Sequence, residues 1–390
     1  MKFTLRKSRQ SENGTDKAQN SNKIIGEGRF GLRLPVCVKI IYLIAALCIP
    51  IYVAFLCSER FSDIFNRYIS SFFRALMAKL TGWIPFSLAE FALLLIPIWV
   101  VLITRVVLKR YGDSLRELIS SVVCVLSALA VVFTTFTLGF APAYRGSTLD
   151  KKLGLDQAQV SAEELYDTAL ILSSHLKEES QSIIYGDDGF SVMPYGYSEM
   201  NQKLIDAYSK VCDEHSFVQR LNSKLKPVML SEAMSYTHIT GVYTFFTGEA
   251  NINVAFPDYT IPFTAAHELS HHRGIARENE ANFMAFLVCV NSDDAYIRYC
   301  AYLNMYEYVL AALSTADASL YVSARYSVPT HVSNELAAYS EFYEKYRNST
   351  ASEVSESVND TFLKLHGTEG TRSYGMVVDL AVAYFKGENG

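Results

Sequence analysis

The sequence predicts a mainly α-helical protein: three transmembrane helices, then an α-rich, zincin-like extracytoplasmic domain with a small β-hairpin or sheet. Three observations carry this. The apolar residues crowd into three runs before position 141, the remainder shows helical periodicity with one alternating interruption, and a His-Glu-x-x-His motif lies in that second part. At 390 residues, half of them hydrophobic, the chain can supply both a membrane region and one sizeable soluble domain. The expected division is a disordered basic cytoplasmic tail over 1–35, a membrane region over 36–144 and a zinc-peptidase-like domain over 145–390.

The tail is rich in Ser, Asn, Lys and Gly and lacks the apolar residues a core needs. The first expected span runs from Ile40 to Cys57, uncharged, with Pro50 tolerable where neighbours satisfy the freed carbonyl. The second runs from Phe86 to Ile103, interrupted only by Glu90, which is expected near an interface or paired with a neighbour. The third, Leu118 to Phe140, carries no charge. Between the first two, the aromatic and Leu-rich stretch from Ser58 to Trp83 suits an amphipathic helix lying along the outer surface. A cleaved signal peptide is disfavoured, because the first apolar run starts late and no small-residue cleavage site precedes further spans.

Orientation follows from the basic residues. The tail to Lys39 holds nine Lys or Arg, and the loop after the second span holds Arg105, Lys109, Arg110 and Arg116, so both are expected in the cytoplasm. With three crossings, everything after Tyr144 emerges on the other side of the cell membrane. Residues 1–144 carry 17 basic against 8 acidic side chains, leaving 18 against 32 for the rest. An acidic domain argues against nucleic acid as a partner, and the basic tail reads as a topology signal at the lipid bilayer. Of seven cysteines, four lie in or beside the spans, and the odd three remaining (Cys212, Cys289, Cys300) argue against a disulfide framework.

In the outer domain, Ser161 to Glu178 opens with a Ser-x-x-Glu capping box, Ser161 and Glu164, followed by a stripe through Leu165, Leu170 and Leu172. Tyr197 to Val211, Ser216 to Leu225, Ala295 to Leu313 and Glu335 to Tyr346 read as further helices. From Ile239 to Phe256 the pattern changes: Val242, Tyr243, Phe245 and Phe246 precede Gly248, then Ala250, Ile252, Val254 and Phe256 alternate with polar residues. This predicts paired strands just before the motif, and an exposed strand there could hold an extended peptide by sheet addition.

The motif is His267-Glu268-Leu269-Ser270-His271. On a helix the two histidines stand one turn apart on one face, so two imidazoles can share a tetrahedral metal with Glu268 beside them as proton carrier. Pro262 suits the first turn and Gly274 a left-handed close. Catalytic zinc needs a third protein ligand, and two glutamates compete for the role. A second helix starting near Arg277 puts Glu278 on a face with the small or polar residues Ala281, Asn282, Ala285 and Cys289, which permits close helix approach. Glu280 lies roughly 200° away, with Phe283, Met284 and Leu287. Glu278 is therefore the expected ligand and Glu280 the second choice. His272 points away from the His267/His271 face, which suggests an outer hydrogen bond or a surface position. Arg277 stands where some zinc peptidases carry a third histidine, and guanidinium does not bind zinc.

The run Ile261-Pro262-Phe263-Thr264-Ala265-Ala266-His267-Glu268-Leu269-Ser270-His271, continuing through Ala276 to Phe283, resembles the DUF3810 family of bacterial membrane proteins, as does Thr247 to Asn253 upstream. The layout of that family, membrane helices followed by a soluble domain bearing the motif, would cover nearly the whole chain. More distantly, His-Glu-x-x-His followed by Glu-x-x-Ala-Asn is similar to the gluzincin peptidases. That resemblance implies the Glu of the second helix as third zinc ligand, which maps to Glu278.

The expected function is that of a membrane-anchored zinc metallopeptidase acting on a peptide or protein substrate. His267, His271 and Glu278 would hold Zn2+, Glu268 would act as general base, and a Tyr or His, among them Tyr374, would supply an oxyanion donor. The alternative is a non-catalytic membrane sensor or scaffold with a structural or degenerate zinc site. A transporter is weaker, because the spans offer one acidic residue.

Overall fold

A computed structural model describes residues 32, 34–111, 115–156, 160–347, 349–370, 372 and 376–388. The expected tail lies almost wholly outside them.

Among the described residues, two helices are long and apolar enough to cross a membrane, α1 (Val36–Cys57) and α6 (Leu115–Gly139). Pro50 leaves α1 unbroken. The two pack together, and the Tyr42 hydroxyl donates to Val123 O at 2.9 Å across the seam. Between them run α2 (Glu59–Phe65), a π-helical turn (Asn66–Ser70), α3 (Ser71–Thr81), α4 (Leu88–Leu94) and α5 (Ile96–Tyr111).

The second expected span differs from expectation. It is not one helix but the pair α4 and α5, bent by 52°, so two continuous helices rather than three meet the length of a bilayer. The physical reason is Pro97, which has no N–H to give the preceding turn and whose ring crowds the carbonyl of Leu93. Glu90 is no lipid-facing charge either. Its two carboxylate oxygens accept from Leu230 N at 2.8 Å and Met229 N at 3.0 Å, at the start of α10 (Ser231–Ser235). In return, Glu249 accepts from Leu88 N and Ala89 N at the start of α4. Each carboxylate thus meets orphan donors at a helix start, Glu90 of α4 at α10 and Glu249 at α4.

The stretch from Ser58 to Thr81 is helical, with Ser58 accepting from Phe61 N as N-cap. One face of α3 grips the rest of the protein through Arg74 and Ala78, both buried, while Phe72, Leu76 and Leu80 stand exposed on the other, with Trp83 just beyond its end.

The part after α6 is helical around a three-stranded sheet. It begins with a 3-10 turn (Ala141–Tyr144), α7 (Leu149–Leu153), α8 (Ala162–Glu179) and α9 (Tyr197–Glu214). The Ser161/Glu164 capping box of α8 forms as expected, with Ser161 Oγ accepting from Glu164 N at 3.2 Å and Glu164 Oε2 from Ser161 N at 2.7 Å. The helix expected over 216–225 does not form: Leu225 instead enters strand β1 (Leu225–Pro227). Its groups find side-chain partners that compete with a helix, since Asn201 donates to Ser223 O and accepts from Leu225 N.

The expected hairpin is present as β2 (Gly241–Thr244) and β3 (Glu249–Ile252), antiparallel with Tyr243 opposite Ala250. β1 adds in parallel on the far side of β3, giving the order β1-β3-β2, so β3 is central and β2 an edge. Then follow α11 (Thr260–His272), α12 (Glu278–Val290), α13 (Ala295–Ala316), α14 (Ala318–Arg325), α15 (Thr330–Tyr346), α16 (Thr350–Leu365) and α17 (Val377–Glu388). α11 lies on β3 and β2 and against α12, while α13 joins α8, α12 and α17 around Leu172, Phe286 and Tyr306.

The buried ion pair of Lys226 and Glu249, 2.7 Å apart, ties β1 to β3 and both to the membrane segment, because Lys226 Nζ also donates to Thr81 O and Phe86 O. Lys226→Met leaves the Glu249 charge without its cation, and a loss of about 3–5 kcal/mol is expected in thermal or denaturant unfolding of the detergent-solubilised chain. Lys226→Met with Glu249→Gln should recover part of that loss.

Candidate metal centre

The centre is built where α11 and α12 face each other. Pro262 sits in the first turn of α11, where its missing N–H costs little. At the other end, Gly274 takes φ of 83° and donates to His271 O at 2.9 Å. The turn is short enough that α12 starts at Glu278 and folds back on α11, with Asn282 and Cys289 of its inner face reaching His267 and Pro262.

This arrangement brings together His267, His271 and Glu278, all buried, with one potential ligand atom from each lying within 4.8 Å of the others. Glu278 Oε2 stands 3.2 Å from His267 Nε2 and 3.4 Å from His271 Nε2. The other nitrogen of each ring is committed. His271 Nδ1 lies 2.8 Å from Ile275 O, which can only accept, and His267 Nδ1 lies 2.7 Å from Asn282 Oδ1. With both Nδ1 atoms donating, neutral rings turn two Nε2 lone pairs toward a carboxylate oxygen that has no hydrogen-bond donor of its own. Three converging acceptors in a buried place need a cation among them. Two imidazoles and one carboxylate fit a divalent ion of the zinc type, and the partners on Nδ1 are the outer hydrogen bonds that orient such ligands.

The electrostatics agree with that need. Burial alone would disfavour every charge here, yet the two histidines hold the Glu278 carboxyl well below its usual range. Burial likewise opposes an imidazolium at His271, but Glu278 and Glu268 outweigh it and raise its pKa to about 9, so a proton fills the gap when nothing else does.

Glu268 is buried beside the group. Burial raises its carboxyl to about 6, with Glu278 adding to the shift while the histidines and the Tyr243 backbone N–H of the edge strand oppose it. Its Oε2 has no hydrogen-bond partner. Strand β2 approaches so closely that a Cβ at Gly241 would stand 2.6 Å from Glu268 Oε1. Glu280, the second choice for third ligand, is engaged elsewhere: its Oε1 accepts from Arg277 Nη1 at 2.8 Å and from Leu149 N at 3.0 Å. Arg277 also donates to Tyr144 O and Gly146 O.

His272 corrects one expectation. It is not at the surface but buried under Tyr243, with ring centroids 5.2 Å apart. Neither ring nitrogen has a hydrogen-bond partner, and burial, then Arg273 and Arg74, lower its pKa to about 3. It is a neutral packing residue. Tyr374 lies outside the described residues.

Several contributors escaped the sequence reading. The Phe140 ring meets the His271 ring edge-on at 5.9 Å, and Tyr144 is buried where the Glu278 charge reaches it. Burial and that charge both raise the Tyr144 phenol, keeping it a proton donor. Nothing in the sequence marks one tyrosine among 25 for this place.

The chain matches the family model described as "Protein of unknown function (DUF3810)" over residues 61–382 and belongs to that family. No curated protein matches it, and no solved structure does.

From this geometry, the purified full-length chain is expected to bind close to one divalent ion, read by elemental mass spectrometry. Glu278→Ala should lose it and Glu280→Ala should keep it. Asn282→Ala, which removes the partner of His267 Nδ1, should weaken affinity by about 10–100-fold.

Proposed function

We propose that this DUF3810 member is a membrane-anchored zinc metallopeptidase. The observation that carries the reading is the convergence of His267 Nε2, His271 Nε2 and Glu278 Oε2, with Glu268, whose Oε2 has no hydrogen-bond partner, next to His267 on α11. Zinc held by these three residues would supply the Lewis acidity that polarises a substrate carbonyl and activates water. Glu268 takes the water proton and hands it to the leaving amine, a task suited to a carboxyl whose pKa sits near 6. Tyr144, kept protonated by burial and by the nearby Glu278 charge, is the proposed donor to the developing oxyanion.

The substrate is proposed to be a peptide laid along β2. That strand pairs with β3 on one side only, and the Tyr243 N–H on its outer side points to Glu268. A peptide added to this edge runs past the base and the metal ligands in extended form.

The topology belongs to the same proposal. α1 and α6 both end beside the soluble domain, so the bent pair α4 and α5 must return the chain between them. The basic residues then place the tail and the loop before α6 in the cytoplasm, and the soluble domain outside it.

Glu268→Gln tests the reading. Hydrolysis of a peptide library by the zinc-loaded chain should fall by at least about 10²-fold while zinc content stays as in wild type. Retained hydrolysis, or a metal-loaded wild type that cleaves no peptide, would turn the reading toward a scaffold with a structural metal. For the wild type, the rate should fall as pH drops through about 6, where Glu268 takes up a proton, and a bound cation would move that limb lower.

A further inference from the structure

We infer that the catalytic centre lies in the headgroup layer of the bilayer and takes as substrate the juxtamembrane segment of a membrane-anchored chain. This rests on the peptidase reading and adds the substrate class to it.

Three features fix the height of the centre relative to the membrane. The first is α6, whose 25 residues rise about 37 Å against a hydrocarbon core of roughly 30 Å, so its last turn leaves the acyl region. Phe140 follows directly, and it is Phe140 that packs on His271 and, at 5.3 Å, on Tyr243 of the edge strand. No spacer separates the end of the span from the site. The second is α3, whose buried face holds the domain while its other face shows apolar side chains at helical spacing, Phe72, Leu76 and Leu80, continuing to Trp83 just past its end at 77 % exposure. Arg74 on the buried face donates to Gly139 O, and its guanidinium lies 2.6 Å from where a Gly274 Cβ would stand. The apolar face of α3 is thereby held at the level of the end of α6 and of the turn that closes the metal helix.

The third is α16, a polar helix with one exposed apolar row, Val354, Val358 and Leu365. Its Phe362 and His366 rings pack on Phe136 of the last turn of α6, at 6.2 and 4.8 Å. A solvated helix has no use for that row, whereas a helix resting at the bilayer surface does. Three separate elements that meet at the end of α6 thus present apolar side chains, and the metal ligands sit beside that end.

The consequence concerns reach. With the His271 ring 5.9 Å from Phe140, an extended strand leaving the hydrocarbon needs only about three to six residues, at roughly 3.3 Å each, to cross the centre. A folded soluble protein would have to press its own bulk into the headgroups to present a loop there. A chain already anchored delivers the segment without that obstacle, and at a raised local concentration.

The test uses the full-length, zinc-loaded protein in phosphatidylcholine vesicles. Synthetic substrates carry one apolar span followed by a repetitive polar tail, and controls carry the tail alone. Cleavage positions, read by mass spectrometry, should cluster within about ten residues of the span, and anchored peptides should be cut at least tenfold faster than free ones. Equal rates, or cuts spread evenly along the tail, would overturn the inference while leaving the peptidase reading intact. Absence of any cleavage, with zinc still bound, would overturn the peptidase reading and the inference with it.

A second arm needs no catalysis. The chain has two tryptophans, so Trp99→Phe leaves Trp83 as the only reporter of the height of α3. Lipids brominated near the headgroup should quench it more than lipids brominated near the chain ends. An unquenched Trp83 would place α3 away from the bilayer and overturn the inference.

Discussion

The interaction on which the rest of the structure depends is the burial of Arg74. Its guanidinium donates to Asn66 Oδ1, Asn66 O, Gly139 O and Gln219 Oε1, and lies against Gly274. Asn66 in turn donates to Gly274 O at 2.9 Å. One side chain thereby joins α3, the end of α6 and the turn after α11. Five donors in a rigid plane suit this task, and a lysine could not hold so many carbonyl groups at fixed angles. Gly274 is needed twice here, for its positive φ and for the space the guanidinium fills.

Around that junction the acidic residues divide their work by location. Glu278 and Glu268 are buried without enough donors, which is the condition for holding a cation and moving a proton. Glu249, Glu90 and Glu280 are as buried, yet each is met by backbone N–H groups at a helix start. The contrast within one chain separates carboxylates with a full set of donors from those without by their partners alone. Burial by itself does not distinguish them.

What was legible in the sequence was local. The His267/His271 pair follows from helical periodicity, the Ser161/Glu164 box from capping chemistry, and the choice of Glu278 over Glu280 from the angle between them on one helix. The paired strands around Gly248 came from alternation. What escaped depends on contacts far apart in the chain. Arg74 reads as one more basic residue of an amphipathic helix, because Gly139 and Gly274 are distant in sequence. Pro97 was visible, but an apolar run scores as a span whether or not its helix bends. The segment 216–225 has helical composition, yet Asn201, a residue of α9, supplies the competing hydrogen bonds. The place of Tyr144 beside Glu278 could be found only by folding the chain.

The carboxylate caps of α4 and α10 carry a consequence for biogenesis. Leu88 N and Ala89 N cannot donate to Glu249 until it exists, and that residue follows them by 161 and 160 positions. At a synthesis rate of about 5–20 residues per second, these amides wait roughly 8–30 s after their own translation. During that interval the short helix has two unmet donors at a membrane boundary, and Glu90 has no amides to receive. The bent pair therefore reaches its final seat late, after the sheet has been made, although it is among the first segments to enter the bilayer. The order of translation and the order of assembly are opposite for this element.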